Sequence, residues 1–321
     1  MRRPRTLVLL IALLAVPAVA AERYPDKPIK LVVPGAAGGP TDVMARVVGD
    51  ALGEALGQRL VIDNRTGAGG VVAGEVIAHA PPDGYNLLYA NSSTQAINPA
   101  LYPDMPYDPA TAFTPVVLVS AAPMILVVNP TLPAQSVAEL VMLAATRPGG
   151  LNFASGGTGT LPHLTYELFR LATGIKTVHV PYNGGVFSLA AVVKGEVPAT
   201  FEVVSIVRPR VRSGELRALA TTGTARDPVL ADVPTMAEAG HPDVRASSWT
   251  GIVAPAGLAA ERRDRLNRAL NDLLAAPVFR AKLETLGVEP RGGTPDDFGA
   301  WIADERARWT RVVRQSGAKP N

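Results

Sequence analysis

Short apolar runs rich in β-branched residues alternate along the chain with longer amphipathic stretches. The runs at 29–33, 59–63 and 85–90 predict strands. The first two are followed by a loop and a helical pattern. The first helix is expected over 42–56, with Thr41 as its cap and Gly57 as its stop. This alternation predicts parallel strands with crossover helices, hence an α/β fold. Two further β-rich runs, 114–120 and 124–129, have little helix between them and suit strands that pass from one lobe to another. The strand–loop–helix pattern then resumes, with strands expected at 151–154, 176–180, 199–204 and 217–221. Its helices are capped by Ser136, Thr160 and Ser205, and one more ends at Lys194. A run at 249–253 returns the chain to the first lobe, and two amphipathic helices, 262–275 and 295–315, close it.

The first residues depart from this pattern. Arg2, Arg3 and Arg5 precede an apolar run, Leu7 to Val16, and then Ala18-Val19-Ala20. That order predicts a signal peptide over 1–20, cleaved near Ala20, and so a secreted protein. The run is shorter than the ~20 apolar residues that a membrane span needs. Of 31 basic and 28 acidic side chains, three basic ones leave with the peptide, so the mature chain is balanced. The electrostatic footprint of a nucleic-acid binder is therefore lacking. The chain has no Cys, which excludes disulfides and lipid attachment at an N-terminal Cys. Aromatic residues make up only 5%, which argues against an aromatic-lined sugar groove. About 300 mature residues suit two domains: lobe I over 21–122 plus 249–321, and lobe II over 123–248.

The candidate chemistry lies in three loops of one design: a strand, a glycine-rich turn and a helix start. They are Gly35 to Thr41, Ser155 to Thr160 and Asn183 to Gly185. Glycine lets backbone approach a ligand, and the first N–H groups of a helix have no intrahelical acceptor and carry partial positive charge. Together these features make an anion site without Arg. Two such loops from two lobes could grip a small diacid. The candidate ligand-binding residues are Ala37, Gly38, Gly39, Thr41 and Asp42 in the first loop, and Ser92 and Thr94 after the third strand. In the second half they are Ser155, Gly157, Thr158, Gly159, His163, Tyr182, Gly184 and Glu202. Several of these have two readings. Asp42 suits a ligand amine or the helix dipole. Tyr182 suits the ligand or hinge packing, and Glu202 the cleft or a solvated rim. For His163 a hydrogen-bonded helix residue is favoured over a base, and Trp249 reads as hinge packing.

Enzyme motifs are absent. No G-x-x-x-x-G-K-[ST] or G-x-S-x-G occurs, and Gly67-x-Gly69 lacks the third glycine of a dinucleotide loop because position 72 is Val. Ser155 and His163 lack a third group. His79, His163, His179 and His241 show no metal-ligand spacing. No catalytic residue, metal or cofactor is expected.

Taken in order, several stretches resemble the Bug-type receptors, the extracytoplasmic solute-binding proteins of tripartite tricarboxylate transporters. They include Val33-Pro34-Gly35-Ala36-Ala37-Gly38-Gly39-Pro40-Thr41-Asp42, Asn64-Arg65-Thr66-Gly67-Ala68-Gly69-Gly70 and Pro82-Asp83-Gly84-Tyr85. Ser155-Gly156-Gly157-Thr158-Gly159, Val180-Pro181-Tyr182-Asn183-Gly184-Gly185 and Asp232-Val233-Pro234-Thr235-Met236-Ala237-Glu238-Ala239-Gly240 follow. The resemblance covers essentially the whole mature chain. It implies a type II periplasmic-binding-protein fold, with two lobes of mostly parallel sheets joined by a two-strand hinge. It also implies a periplasmic location, a small carboxylate ligand, a membrane permease as partner and a working monomer. Ligand carboxylates would be held by the loop after the first strand and the loop from Ser155, largely through backbone amides, hydroxyls and water. A receptor feeding a membrane sensor, or one binding a non-acidic ligand, is the alternative. Val197-Pro198, Asn183 and Glu202 depart from the family pattern and reshape one cleft wall.

Overall fold

The computed structural model describes residues 24–320. The expected signal peptide and its cleavage site lie outside the described residues.

The first half runs β1 (Ile29–Val33), α1 (Pro40–Leu56), β2 (Leu60–Asn64), α2 (Val71–Ala78), β3 (Asn86–Asn91) and α3 (Asn98–Leu101). A long strand follows, β4 (Phe113–Val128). The second half runs α4 (Val137–Thr146), β5 (Leu151–Ser155), α5 (Leu161–Thr173), β6 (Thr177–Pro181), α6 (Gly185–Val193), β7 (Ala199–Val203), α7 (Val204–Arg212) and β8 (Arg217–Thr221). The chain returns through β9 (Ser247–Pro255) and ends with α8 (Ala260–Ala275), α9 (Pro277–Thr285), β10 (Glu289–Pro290) and α10 (Pro295–Ser316).

The outer strands are parallel: β1 lies between β2 and β3, and β5 between β6 and β7. The strands that carry the chain between the halves are antiparallel to their neighbours, so the sheet is mixed. Leu31, Val32 and Val33 of β1 are wholly buried, as expected of a strand covered on both faces.

The two β-rich runs near residue 120 form one continuous strand instead of two. Along 113–123 β4 pairs with β9, and along 124–128 it is flanked by β7 and β8. Pro123 stands at the change of partners, where the lack of an N–H costs least. Ala121 and Ala122, weak strand formers, are held extended by Trp249 and Ser248 opposite. The chain's tail also differs from expectation, because a third helix, α9, lies between the two foreseen. Pro277 ends one helix and opens the next, a position that suits its fixed φ and absent N–H. α1 starts two residues early, at Pro40, so Gly39 takes the cap position expected of Thr41. Likewise α7 begins at Val204, and Ser205 lies inside it.

One apolar cluster belongs to the first half, including Leu31, Leu52, Leu87, Ile252 and Leu266. A smaller one, including Ile125, Val127, Val192 and Val207, belongs to the second. The largest joins both: Leu101, Leu118 and Trp309 pack in the same cluster as Leu126, Phe153 and Phe169. α10 lies across this junction and is anchored at its start by a reciprocal capping box between Thr294 and Asp297.

Candidate functional site

The glycine-rich loops stand at the carboxyl ends of β1, β5 and β6, the end of an α/β sheet where ligands gather. Each is shaped from beneath by buried polar side chains.

In the first half the organiser is Asp42, which is buried. Its carboxylate accepts the N–H of Gly38 at 2.8 Å, Nε of Arg46 at 2.9 Å and Nδ2 of Asn64 at 3.0 Å. Asn64 also donates to the Gly35 carbonyl at 3.0 Å, tying the end of β2 to the loop. Arg46, and after it the Gly38 N–H, holds the Asp42 carboxyl down at about 2. The carboxylate thus pairs with its own loop as well as standing in the first turn of α1. The N–H of Gly38 is spent as well. Gly38 has φ +78°, a conformation glycine adopts without strain. Gly39 donates to Ala36 at 3.1 Å, while Val43 donates to Gly39 at 3.0 Å and closes the first turn of α1. The N–H groups of Thr41 and Asp42 remain without an intrahelical acceptor, beneath exposed Ala36, Ala37 and Gly38.

Two neighbouring segments close on this loop. A π-helical turn, Ser93–Ile97, follows β3. Thr94 is wholly buried and exchanges hydrogen bonds with Asn91, which shapes the turn. Gly70 fits between Thr94 and Pro34: a Cβ there would lie 2.7 Å from Thr94 Cγ2 and 3.0 Å from Pro34 Cβ. Ser92 is buried too.

In the second half the organisers are Ser155 and two histidines. Ser155 is wholly buried at the end of β5. Its Oγ lies 2.6 Å from His179 Nε2 and accepts the N–H of Gly157 at 3.2 Å. The rings of His179 and His163 stack with centroids 3.9 Å apart. His163 Nδ1 accepts the N–H of Gly159 at 3.0 Å, and Thr160 Oγ1 donates to the Gly157 carbonyl at 2.7 Å. Burial, and after it the charge of His179, lowers His163 to about 3, so the neutral ring is the stable form. Burial lowers His179 as well. Ser155 and His163 therefore hold the loop from inside. The serine pairs with His179, not with His163, and is buried.

The third loop is built onto the second. Tyr182 donates its N–H to Ser155 O at 2.9 Å, and Gly184 donates to Gly156 O at 3.1 Å. A Cβ on Gly156 would lie 2.7 Å from Gly185 N. The half-buried Tyr182 ring packs on the second-half core. Glu202, read as a cleft residue or a solvated-rim one, is 5% exposed, which sets aside the solvated rim; burial raises its carboxyl above the ordinary range. Thr158, Gly159 and Gly184 remain near the surface, whereas Gly157 is buried. The two halves meet at Gly159, where a Cβ would lie 2.9 Å from Leu101 of α3.

Asn64, Asn91 and His179 do the positioning that sequence reasoning did not assign to the site. Asn64 was signalled by its place in the Asn64 to Gly70 stretch. Trp249 is buried at the strand crossing and donates Nε1 to Glu305 at 3.2 Å, in keeping with hinge packing. A groove of about 630 Å³, lined by Tyr166, Glu167, Arg170, Lys176 and His179, lies along α5 and β6.

Residues 44–318 match the family described as the tripartite tricarboxylate transporter family receptor. Protein BugT of Bordetella pertussis is 40% identical over 302 residues, covering 94% of this chain and 93% of its own length. The structure of R. palustris Rpa4515 with adipate superposes with a TM-score of 0.78 at 38% identity, covering 93% of this chain and 100% of the other. MatC from Rhodopseudomonas palustris with bound malate gives a TM-score of 0.74 at 32% identity, over 90% and 100% of the two chains. By sequence along nearly its whole length, and by the two-part fold that positions these loops, the chain belongs to the tripartite tricarboxylate transporter receptor family.

Proposed function

We propose that the chain is a periplasmic receptor that captures a small carboxylate between two lobes and delivers it to a permease of the tripartite tricarboxylate type. The ligand class is a di- or tricarboxylate or an acidic amino acid. Lobe I comprises 21–122 plus 249–321 and lobe II 123–248, with β4 and β9 as the hinge; the protein works as a monomer and as a binder, not a catalyst. One observation carries this reading. Glycine-rich loops from both halves are pre-organised by side chains whose own polar atoms are spent on the loops: buried Asp42 and half-buried Asn64 on one side, buried Ser155 and His163 on the other. Loops held in this way offer backbone donors to an anion without the cost of burying an unpaired Arg. Relatives with adipate and malate bound support the ligand class.

A thermal-shift titration of residues 21–321 tests it. A ligand that binds only the folded state at 100 times its Kd stabilises it by about 2.7 kcal/mol. Small carboxylates raise the midpoint in a saturable way, and neutral sugars and amides leave it unchanged. Shifts confined to neutral compounds would overturn the carboxylate reading.

A further inference from the structure

Glu202, the fourth residue of β7, is buried, with Oε1 accepting the N–H of Val203 at 2.8 Å. Its other oxygen, Oε2, accepts no hydrogen bond from any described residue, and no Lys, Arg or His among them forms an ion pair with the carboxylate. Oε2 is not among the sealed, unpaired polar atoms of the described residues, so a donor from outside the protein can reach it.

The fold leaves a path for such a partner. A Cβ on Gly185 would stand 2.9 Å from Oε2, so the missing side chain opens a window onto the oxygen. Gly185 opens α6, and its backbone lies against Gly156 of the neighbouring loop. The free oxygen therefore sits at the junction of the two second-half loops, with the first turn of α6 beside it. A ligand carboxylate brought to this point would meet a like charge in a poorly solvated place. A donor group would instead meet an acceptor that is already held in position.

We infer that Glu202 Oε2 accepts a hydrogen bond from the ligand, so that the ligand carries an ammonium or hydroxyl group as well as its carboxylate. The preferred class is amino acids and hydroxy acids over plain diacids. Glu202 is then a specificity-determining residue that selects by repelling one group and pairing with another. This inference rests on the carboxylate reading above.

Titration calorimetry of residues 21–321 tests it with matched sets: succinate, malate and aspartate; glutarate, 2-hydroxyglutarate and glutamate; adipate and 2-aminoadipate. In at least one set a donor-bearing acid binds tenfold or more tightly than the plain diacid. Glu202→Gln, which keeps shape but removes charge, cuts that advantage at least tenfold for the amino acid while the thermal midpoint holds or rises. Gly185→Ala, whose Cβ fills the window and presses on Oε2, cuts it as well and serves if the first variant fails to fold. Plain diacids binding as tightly as their partners in every set, or an advantage that survives both variants, would overturn the inference. Plain diacids alone binding would leave the carboxylate reading intact. Binding by none of these acids, nor by any tricarboxylate, would remove that reading and this inference together.

Discussion

The carboxylate of Asp42 holds the N–H of Gly38 at 2.8 Å, and through Asn64 it is linked to the carbonyl of Gly35. The loop after β1 is therefore built around one buried acid. Asp42→Ala removes the acceptor of three donors, and Asp42→Asn turns an NH2 toward at least one of them. Both variants are expected to weaken carboxylate binding by tenfold or more, about 1.4 kcal/mol, in titration calorimetry. Unchanged affinity would show that the loop keeps its shape without Asp42. The acid is held at about 2, against an ordinary 3.8. Its stabilising contribution is thus complete above about pH 4 and is lost only as pH falls through 2.

The histidine pair behaves differently. His163 falls from an ordinary 6.5 to about 3, and burial lowers His179 in the same direction. The unfolded chain takes up these protons first as pH falls, so this contribution to stability is full above 6.5 and is lost progressively toward pH 3. Protonation would also remove the Nδ1 acceptor of the Gly159 N–H. Glu167 Oε1, 3.8 Å from His163 Nε2, is already engaged by Arg170 through its other oxygen and offsets little of this. Thermal midpoints between pH 7 and 4 should fall more steeply in the wild type than in His163→Asn. Equal slopes would show that the buried rings are not what titrates.

Much of the fold was legible in the sequence because its signals are local. Glycine-rich turns between β-branched runs and amphipathic stretches mark β1, α1, β5 and α5, and helix ends at Gly57 and Gly174 follow from their residues alone. What was not legible depends on partners distant in the chain. β4 runs unbroken through Ala121–Pro123 because β9, over 100 residues later, pairs with it. The burial of Glu202 depends on the packing of α6 over β7, and Asp42 meets Asn64 only because β1 and β2 are neighbours. For the site, the loops were identifiable by composition. The hydrogen bonds by which Ser155, Thr94 and His163 hold those loops from buried positions were not, since they depend on how the loops fold.

Glu305 is the counterpart of these organisers at the strand crossing. It is buried, accepts indole N–H groups from Trp249 at 3.2 Å and Trp309 at 3.0 Å, and pairs with Arg308. Glu305→Ala would strand both indoles and leave Arg308 only Asp304, at a cost of about 1–3 kcal/mol for each unpaired indole. Glu305→Gln keeps an acceptor and should lose less. Urea unfolding followed by tryptophan fluorescence measures both, and a loss below 1 kcal/mol for the alanine variant would show the network to be dispensable.

Two glycines separate backbone strain from crowding. Gly38 has φ +78° with open space around it, so Gly38→Ala should cost only about 1–2 kcal/mol. Gly70 has φ +100° and would press its Cβ on Thr94, so Gly70→Ala adds about 1–3 kcal/mol of overpacking to a similar backbone cost. Midpoints of urea denaturation should rank wild type, Gly38→Ala and Gly70→Ala in that order of falling stability.

The most direct measurement is a crystal structure of residues 21–321 with the acid that gives the largest thermal shift. The account predicts its carboxylate oxygens within hydrogen-bond distance, directly or through one water, of N–H groups in 37–42 and 155–159, with Asp42, Ser155 and His163 still turned inward. A carboxylate seated instead in the groove beside Arg170 and Lys176, with both glycine-rich loops empty, would contradict it.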